Sequence, residues 1–188
     1  VTISDDNASG TGWYGNREDN ETEPGTVSTQ PWDLEGFFLA DSTLSMVGGW
    51  DFKNGLDGYT SGSLFLDTDG VPAYGTTSPY QGYDPPPAGP AVLNAWGYDY
   101  ALDFNFALMT YSVYGIDASS KVMMINQSIN GESNPWAYSS LGTLIGSYAF
   151  SYTPGLTAGD LTFNNPNSQV GLPLLGDGSS QRHNVVSL

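Results

Sequence analysis

Cysteine is absent from this sequence of 188 residues. Its absence excludes disulfide bonds, thiolate nucleophiles and zinc sites built on thiolates. Histidine is almost absent as well, because His183 is the only one, and a Ser-His-Asp triad or a histidine-ligated metal would have to use it. No G-x-S-x-G elbow and no phosphate-binding loop accompany it, so we expect His183 to be a surface or edge-strand histidine.

Positive charge is scarce too, since Arg17, Lys53, Lys121 and Arg182 are the only basic side chains, against 20 acidic ones. The net charge of −16 argues against a nucleic-acid partner, because no positive patch can replace the counterions of a phosphate backbone. The same argument applies to anionic lipid. No apolar run reaches the roughly 18 residues of a membrane-spanning helix, so we predict no membrane span.

Helix-forming stretches are also missing, because Gly or Pro interrupts every candidate, and apolar and polar residues alternate with period two instead. The alternation predicts one hairpin from strands at 98–106 and 109–116. It predicts another from strands at 34–40 and 42–52, with the turn at Asp41-Ser42. Further strands are predicted at 62–67, 121–128 and 141–152.

These strands predict an all-β fold, an antiparallel two-sheet sandwich or jelly-roll-like arrangement. The length and the 39% of hydrophobic residues suit one core, so we predict a single β-sandwich domain over residues 1–188. Three long loops belong to this prediction: an acidic region at 4–33, a proline-rich loop at 75–95 and a Gly/Asn/Pro-rich loop at 153–181.

Two groups of acids predict a calcium site, since Ca²⁺ binds about six to eight oxygens and a glycine allows the bend that gathers them. One group is Asp67-Thr-Asp-Gly, which is not an EF-hand, because Pro72 stands where that loop needs its invariant Gly. The other is the acidic N-terminal region. The alternatives are an Asx turn for the first group and a solvated loop for the second. The predicted Ca²⁺ ligands are Asp5, Asp6, Glu18, Asp19, Glu21, Glu23, Asp67 and Asp69.

The aromatic residues allow two interpretations. Trp96 and Trp136, with the tyrosines near them, predict a platform on which sugar rings stack, whereas alternating aromatics on strands also form the core face of a sheet. A glycosidase would need two carboxylates in one cleft, and Asp33, Glu35 and Glu132 have no diagnostic spacing for that role. We therefore predict a protein that is not an enzyme.

Both ends of the sequence, "VTIS" and "HNVVSL", are typical of short apolar strands. A terminal strand either closes the edge of its own sheet or pairs with a neighbouring subunit. The second alternative predicts self-assembly by strand addition into a homo-oligomer or filament. The candidate assembly residues are Val1, Ile3, Val185, Val186 and Leu188.

Several longer stretches carry a family resemblance, among them "SGTGWYGNREDNETEPG", "WDLEGFFL", "GYDYALDF" and "ESNPWAY". They resemble exported bacterial surface proteins of the PEP-CTERM, exosortase-sorted type. The resemblance implies an extracellular or cell-surface location, in a group whose ectodomains mostly have no assigned activity. Such proteins usually end with a Pro-Glu-Pro signal, a hydrophobic helix and a basic tail. This sequence has none of these, so we expect a removed C-terminal part or a relative released without its anchor.

Together these features predict a non-enzymatic extracellular structural protein that assembles with itself into a matrix, surface layer or filament and is stabilised by calcium. One alternative is a carbohydrate-binding module that presents a Trp/Tyr face to exopolysaccharide. A further alternative is a glycoside hydrolase or lyase.

Overall fold

The computed structural model describes residues 34–56, 58, 60–69, 91–94, 97–125, 136–156, 160 and 183–188. Within these ranges the chain forms eleven strands, paired antiparallel, and no α-helix. The strands are β1 (Leu34–Ala40), β2 (Thr43–Gly48), β3 (Leu64–Leu66), β4 (Val92–Leu93), β5 (Tyr100–Asn105), β6 (Thr110–Gly115), β7 (Lys121–Met124), β8 (Trp136–Ser140), β9 (Thr143–Ala149), β10 (Ser151–Leu156) and β11 (His183–Ser187). The predicted all-β, antiparallel, sandwich-like fold is confirmed.

Two compact units divide the chain, one made of Val1–Gly58 with Phe150–Leu188 and the other of Tyr59–Ala149. The first unit contains one sheet with the strand order β1-β2-β11-β10. The second contains a four-stranded sheet, β3-β5-β6-β9, and a three-stranded sheet, β4-β7-β8. The described strands therefore form three sheets where two were expected. The single domain over residues 1–188 stays a prediction.

In the first unit, β1 and β2 form the predicted hairpin. The chain turns at Asp41 and Ser42, and Asp41 has a left-handed backbone with φ of 53°, which a short polar side chain tolerates. Beyond the turn, β2 runs into the interior, since its residues 45–48 are buried. The two core residues that it contributes are Met46 and Val47.

The last strand, β11, lies inside this sheet. It pairs with β2 on one side and with β10 on the other, so both of its backbone edges are hydrogen-bonded within the chain. Val185 and Val186 are both buried, and Val186 is completely covered. Because successive side chains of a strand point to opposite faces, β11 is buried on both faces.

The structure corrects the prediction for His183, which is fully buried at the start of a central strand and not at a surface or edge. Val185 and Val186 lie in a strand whose two edges are already occupied. The amide of Leu188 donates to the carbonyl of Leu44 (2.9 Å). A role of these residues in assembly stays a prediction, and it would now require β11 to leave its own sheet. Val1 and Ile3 lie outside the described residues.

Asn184 fastens β11 to both of its neighbours. Its side-chain amide donates to the carbonyls of Gly49 (3.1 Å) and Trp50 (2.9 Å), just after β2. Its side-chain oxygen accepts the amide of Gly155 (3.1 Å) in β10, where the pairing with β11 is irregular and the glycine has φ of 72°. One buried side-chain amide therefore forms three hydrogen bonds with backbone groups on the two sides of β11.

Asp51 organises the turn after β2 and ties it to β10. Its carboxylate accepts the backbone amides of Lys53 (3.1 Å) and Asn54 (3.0 Å) and the hydroxyl of Tyr152 (2.8 Å). Burial acts to raise the pKa of Asp51, but the hydrogen bonds from Asn54, Tyr152 and Lys53 outweigh it and hold this pKa below its usual range. Burial, and then the bond to Asp51, raises the pKa of Tyr152.

In the second unit, β5 and β6 form the other predicted hairpin. The side chain of Asn105 accepts the amides of Ala107 (3.1 Å) and Leu108 (3.0 Å), and Met109 closes the turn with φ of 54°. An Asn side chain that replaces a backbone acceptor in this way is a common turn device.

The two sheets of this unit meet through β8. The rings of Tyr114 in β6 and Tyr138 in β8 stack with centroids 4.1 Å apart. The hydroxyl of Ser63, just before β3, accepts the amide of Tyr138 (3.0 Å). Ala101 and Val122 are completely buried, which places the core of this unit at β5 and β7.

Several strands differ from the predictions. The predicted strand at 141–152 is two strands, β9 and β10, which belong to different sheets. β8 was not predicted, and β4 falls in the predicted loop at 75–95. The greater part of each of the three predicted loops lies outside the described residues. In the described part of the chain, no helix has the length and apolarity needed to cross a bilayer.

Candidate functional site

Three carboxylates gather at the end of β3. Asp67 and Asp69 follow β3 directly, and Asp99 precedes β5. Since Leu66 pairs with Tyr100, the end of β3 and the start of β5 lie side by side, and the amide of Asp99 donates to the carbonyl of Leu66 (2.9 Å). Each of the three side chains offers a carboxylate oxygen, and these oxygens all lie within 4.8 Å of one another.

Hydrogen bonds fix this acidic cluster, which consists of Asp67, Asp69 and Asp99. The carboxylate of Asp99 accepts the amide (2.8 Å) and the hydroxyl (2.6 Å) of Thr68. These bonds favour the ionised form and hold the pKa of Asp99 below its usual range. The carboxylate of Asp67 accepts the amide of Asp69 (3.1 Å), which is an Asx turn. The predicted Asx turn is therefore present, and calcium binding by this stretch stays a prediction.

The acidic cluster has the chemistry of a hard-cation site. Calcium takes oxygen ligands, and carboxylates can supply one or two oxygens each, with backbone carbonyls and water completing the shell. Asp69 is exposed, and the other two carboxylates belong to half-buried residues. Exposed acids also cluster without any ion, so the geometry permits calcium and does not require it.

The structure brings together two of the eight predicted calcium ligands, Asp67 and Asp69, and adds Asp99. Asp99 was missed because its place beside Asp67 depends on the pairing of β3 with β5, across more than thirty residues of chain. The other predicted ligands lie outside the described residues: Asp5, Asp6, Glu18, Asp19, Glu21 and Glu23.

The carboxylates considered for glycoside hydrolysis are not brought together by the described part of the chain. Asp33 and Glu132 lie outside it, and Glu35 belongs to β1. Trp96 is also outside it, and Trp136 begins β8.

An aromatic row crosses the larger sheet of the second unit instead. Phe104, Tyr111 and Tyr148 lie directly opposite one another on β5, β6 and β9. Their ring centroids are 6.0 Å and 5.6 Å apart in that order. Desolvation, and then the neighbouring Tyr148, raises the pKa of Tyr111. Tyr148 is 49% exposed, so the row passes from half-buried rings to a ring open to solvent.

Comparisons of the chain with protein-family models, with characterised proteins and with solved structures found no match.

Proposed function

We propose that this chain is a non-enzymatic extracellular building block of a bacterial surface matrix, layer or filament, stabilised by calcium and assembled through its sheet edges. The acidic cluster of Asp67, Asp69 and Asp99 is the observation that carries the proposal. A cation there would join the ends of β3 and β5, so its binding would stabilise the larger sheet of the second unit. The extracellular location rests on the family resemblance of the sequence.

Calcium is expected to raise the unfolding temperature of the protein, and removal of calcium by a chelator is expected to lower it. A ligand at about ten times its dissociation constant adds roughly 1.4 kcal/mol to the free energy of unfolding. For a chain of this length that is a shift of roughly 3–6 °C. The measurement is thermal unfolding followed by tryptophan fluorescence, with calcium and with excess chelator.

Asp117 provides a matched control for Asp99. It accepts the amide (2.7 Å) and hydroxyl (2.6 Å) of Ser119, much as Asp99 accepts those of Thr68, but it has no place in the acidic cluster. Asp99→Asn and Asp117→Asn each remove one carboxylate charge from a similar set of local hydrogen bonds, and only Asp99→Asn should lose the calcium-dependent shift. Equal unfolding temperatures of the unmodified protein with calcium and with chelator would reject calcium stabilisation.

The aromatic row favours a second candidate function, binding of exopolysaccharide. The exposed ring of Tyr148 at the end of a row of aromatic side chains gives a flat apolar surface with a hydroxyl, which suits the face of a sugar. If this function is correct, Tyr148→Ala should lose retention on immobilised polysaccharide in affinity electrophoresis. Leu108→Ala changes a more exposed apolar residue (71%) outside the row and should have no effect. Equal migration of all three proteins at every polysaccharide concentration would exclude this function.

A further inference from the structure

The edges of the sheets decide where a strand from another molecule can add. Natural proteins protect such edges with short strands, charged residues, proline or bulges. Here β3 and β4 are three and two residues long, β10 contains Pro154, and β1 contains Glu35 and is followed by Asp41. The remaining two edge strands of the described sheets are β8 and β9.

Among the edge strands of the described sheets, β9 combines length and exposure with the absence of both charge and proline. It has seven residues, "TLIGSYA", without a charge or a proline, and among the described strands it pairs only with β6. All of its residues except Gly146 are exposed, including Leu144 (57%) and Ile145 (54%). The side chains of β8 that the structure describes are half-buried instead. One protective device remains, a bulge that leaves Ile145 without a partner on β6.

Charge indicates which partner this edge accepts. The net charge of −16 makes two copies of the chain repel each other at most contacts. Between Glu132 and Asp160, however, the sequence has no charged residue, and β9 lies in the middle of this stretch. A second copy can therefore bring its own β9 to this edge without placing like charges opposite each other.

We propose that β9 is the assembly edge of this protein and that it pairs antiparallel with β9 of a second copy about a two-fold axis. Such an interface is isologous, because the same strand faces itself, and it joins two four-stranded sheets into one continuous sheet. Backbone hydrogen bonds at the edge of β9 that no described strand occupies, and contacts between the exposed apolar side chains, would hold it. This inference rests on the proposed structural function and gives that function its contact surface.

The test compares two charge insertions in the full chain. Ile145→Glu places a carboxylate on β9, and Leu39→Glu places one on β1, at a residue that is 68% exposed on an edge strand of the other unit. Both variants have the same net charge, so general repulsion affects them equally. We expect the unmodified protein and Leu39→Glu to form dimers or larger particles as concentration rises, and Ile145→Glu to stay monomeric, in sedimentation velocity with calcium present.

A second measurement uses the absence of cysteine. Ser147→Cys introduces a single thiol near the middle of β9. In a two-fold pair centred on Ser147, this residue lies opposite its own copy, with the two α-carbons within the roughly 4.4–6.8 Å that a disulfide needs. Mild oxidation should give a covalent dimer of Ser147→Cys and little dimer of Leu39→Cys. Equal dimer yields would overturn the β9 interface.

The outcomes separate the two proposals. If the unmodified protein assembles and Ile145→Glu assembles equally well, the β9 interface is wrong while the structural function stands. If the unmodified protein stays monomeric at all concentrations, with calcium and at high salt, both are rejected. Far-ultraviolet circular dichroism shows whether Ile145→Glu is folded. If it is not, the disulfide measurement with Ser147→Cys tests the β9 interface instead.

Discussion

Replacing Val186 with aspartate is expected to unfold the sheet of the first unit. Val186 is completely buried in β11, between β2 and β10, and no basic side chain is among the residues paired with that strand. A carboxylate at this position must either lose its hydration or force the sheet open. We expect a loss of more than about 4 kcal/mol, which is comparable with the total of about 5–15 kcal/mol that holds most domains together.

The measurement is urea unfolding followed by tryptophan fluorescence and circular dichroism. Leu39→Asp is the matched control, because it makes the same apolar-to-acidic change at an exposed residue of the same sheet. It should lower the free energy of unfolding by less than about 1 kcal/mol. Val186→Ala gives a graded variant that keeps the fold and should lose about 1–3 kcal/mol through the cavity it leaves. Similar midpoints for Val186→Asp and Leu39→Asp would contradict the central place of β11.

Replacing Gly142 with alanine is expected to destabilise the second unit by about 1–3 kcal/mol. A β-carbon at this residue would lie 2.9 Å from the carbonyl oxygen of Gly115 and 3.0 Å from carbons of Ile116 and Tyr138. The nearest of these atoms belongs to the backbone of β6, so it cannot rotate away. The change would also disturb the bond from the Gly142 amide to the hydroxyl of Tyr138 (3.0 Å), which joins β8 to the turn before β9.

Gly115 is the control for this change, since an added β-carbon there meets its nearest atom, the Cδ1 of Ile145, at an ordinary 3.6 Å. Gly115→Ala should leave the unfolding midpoint unchanged or raise it slightly, because alanine restricts the unfolded chain more than glycine does. The result that would refute the argument is a Gly142→Ala midpoint equal to or above that of Gly115→Ala. The unfolding midpoints of both variants are measured by thermal or urea unfolding.

The local parts of the fold were predictable from sequence. The hairpins of β1 with β2 and of β5 with β6 follow from period-two alternation. They also follow from turn residues that tolerate a left-handed backbone conformation, such as Asp41. The stretch at 141–152 was predicted as one strand because nothing in its composition marks the break. The break comes at Phe150, a buried residue at which the chain passes from one sheet to another.

The long-range parts were not predictable. The alternation of β11 gave no sign that it lies between β2 and β10, because a strand buried on both faces and a strand that adds to a neighbour are both apolar. Likewise, Asp67 and Asp69 were identifiable as a turn with metal-ligand chemistry, but Asp99 joins them only through the register of β3 with β5. Register between distant strands depends on packing that no short motif encodes.

The position of β11 also determines the order in which this protein can fold. The hydroxyls of Ser45 and Ser187 lie 2.8 Å apart although the two residues are 142 positions apart in the chain. The second unit is one continuous segment, so a chain that emerges from its N-terminus has all of the strands of that unit before β11 appears. The sheet of the first unit cannot be completed until β11 is available, and closing so long a loop is slow. Until then β2 and β10 lack the strand that separates them, and a chain in this state exposes two strand edges with unpaired backbone groups to any protease, chaperone or other copy that it meets.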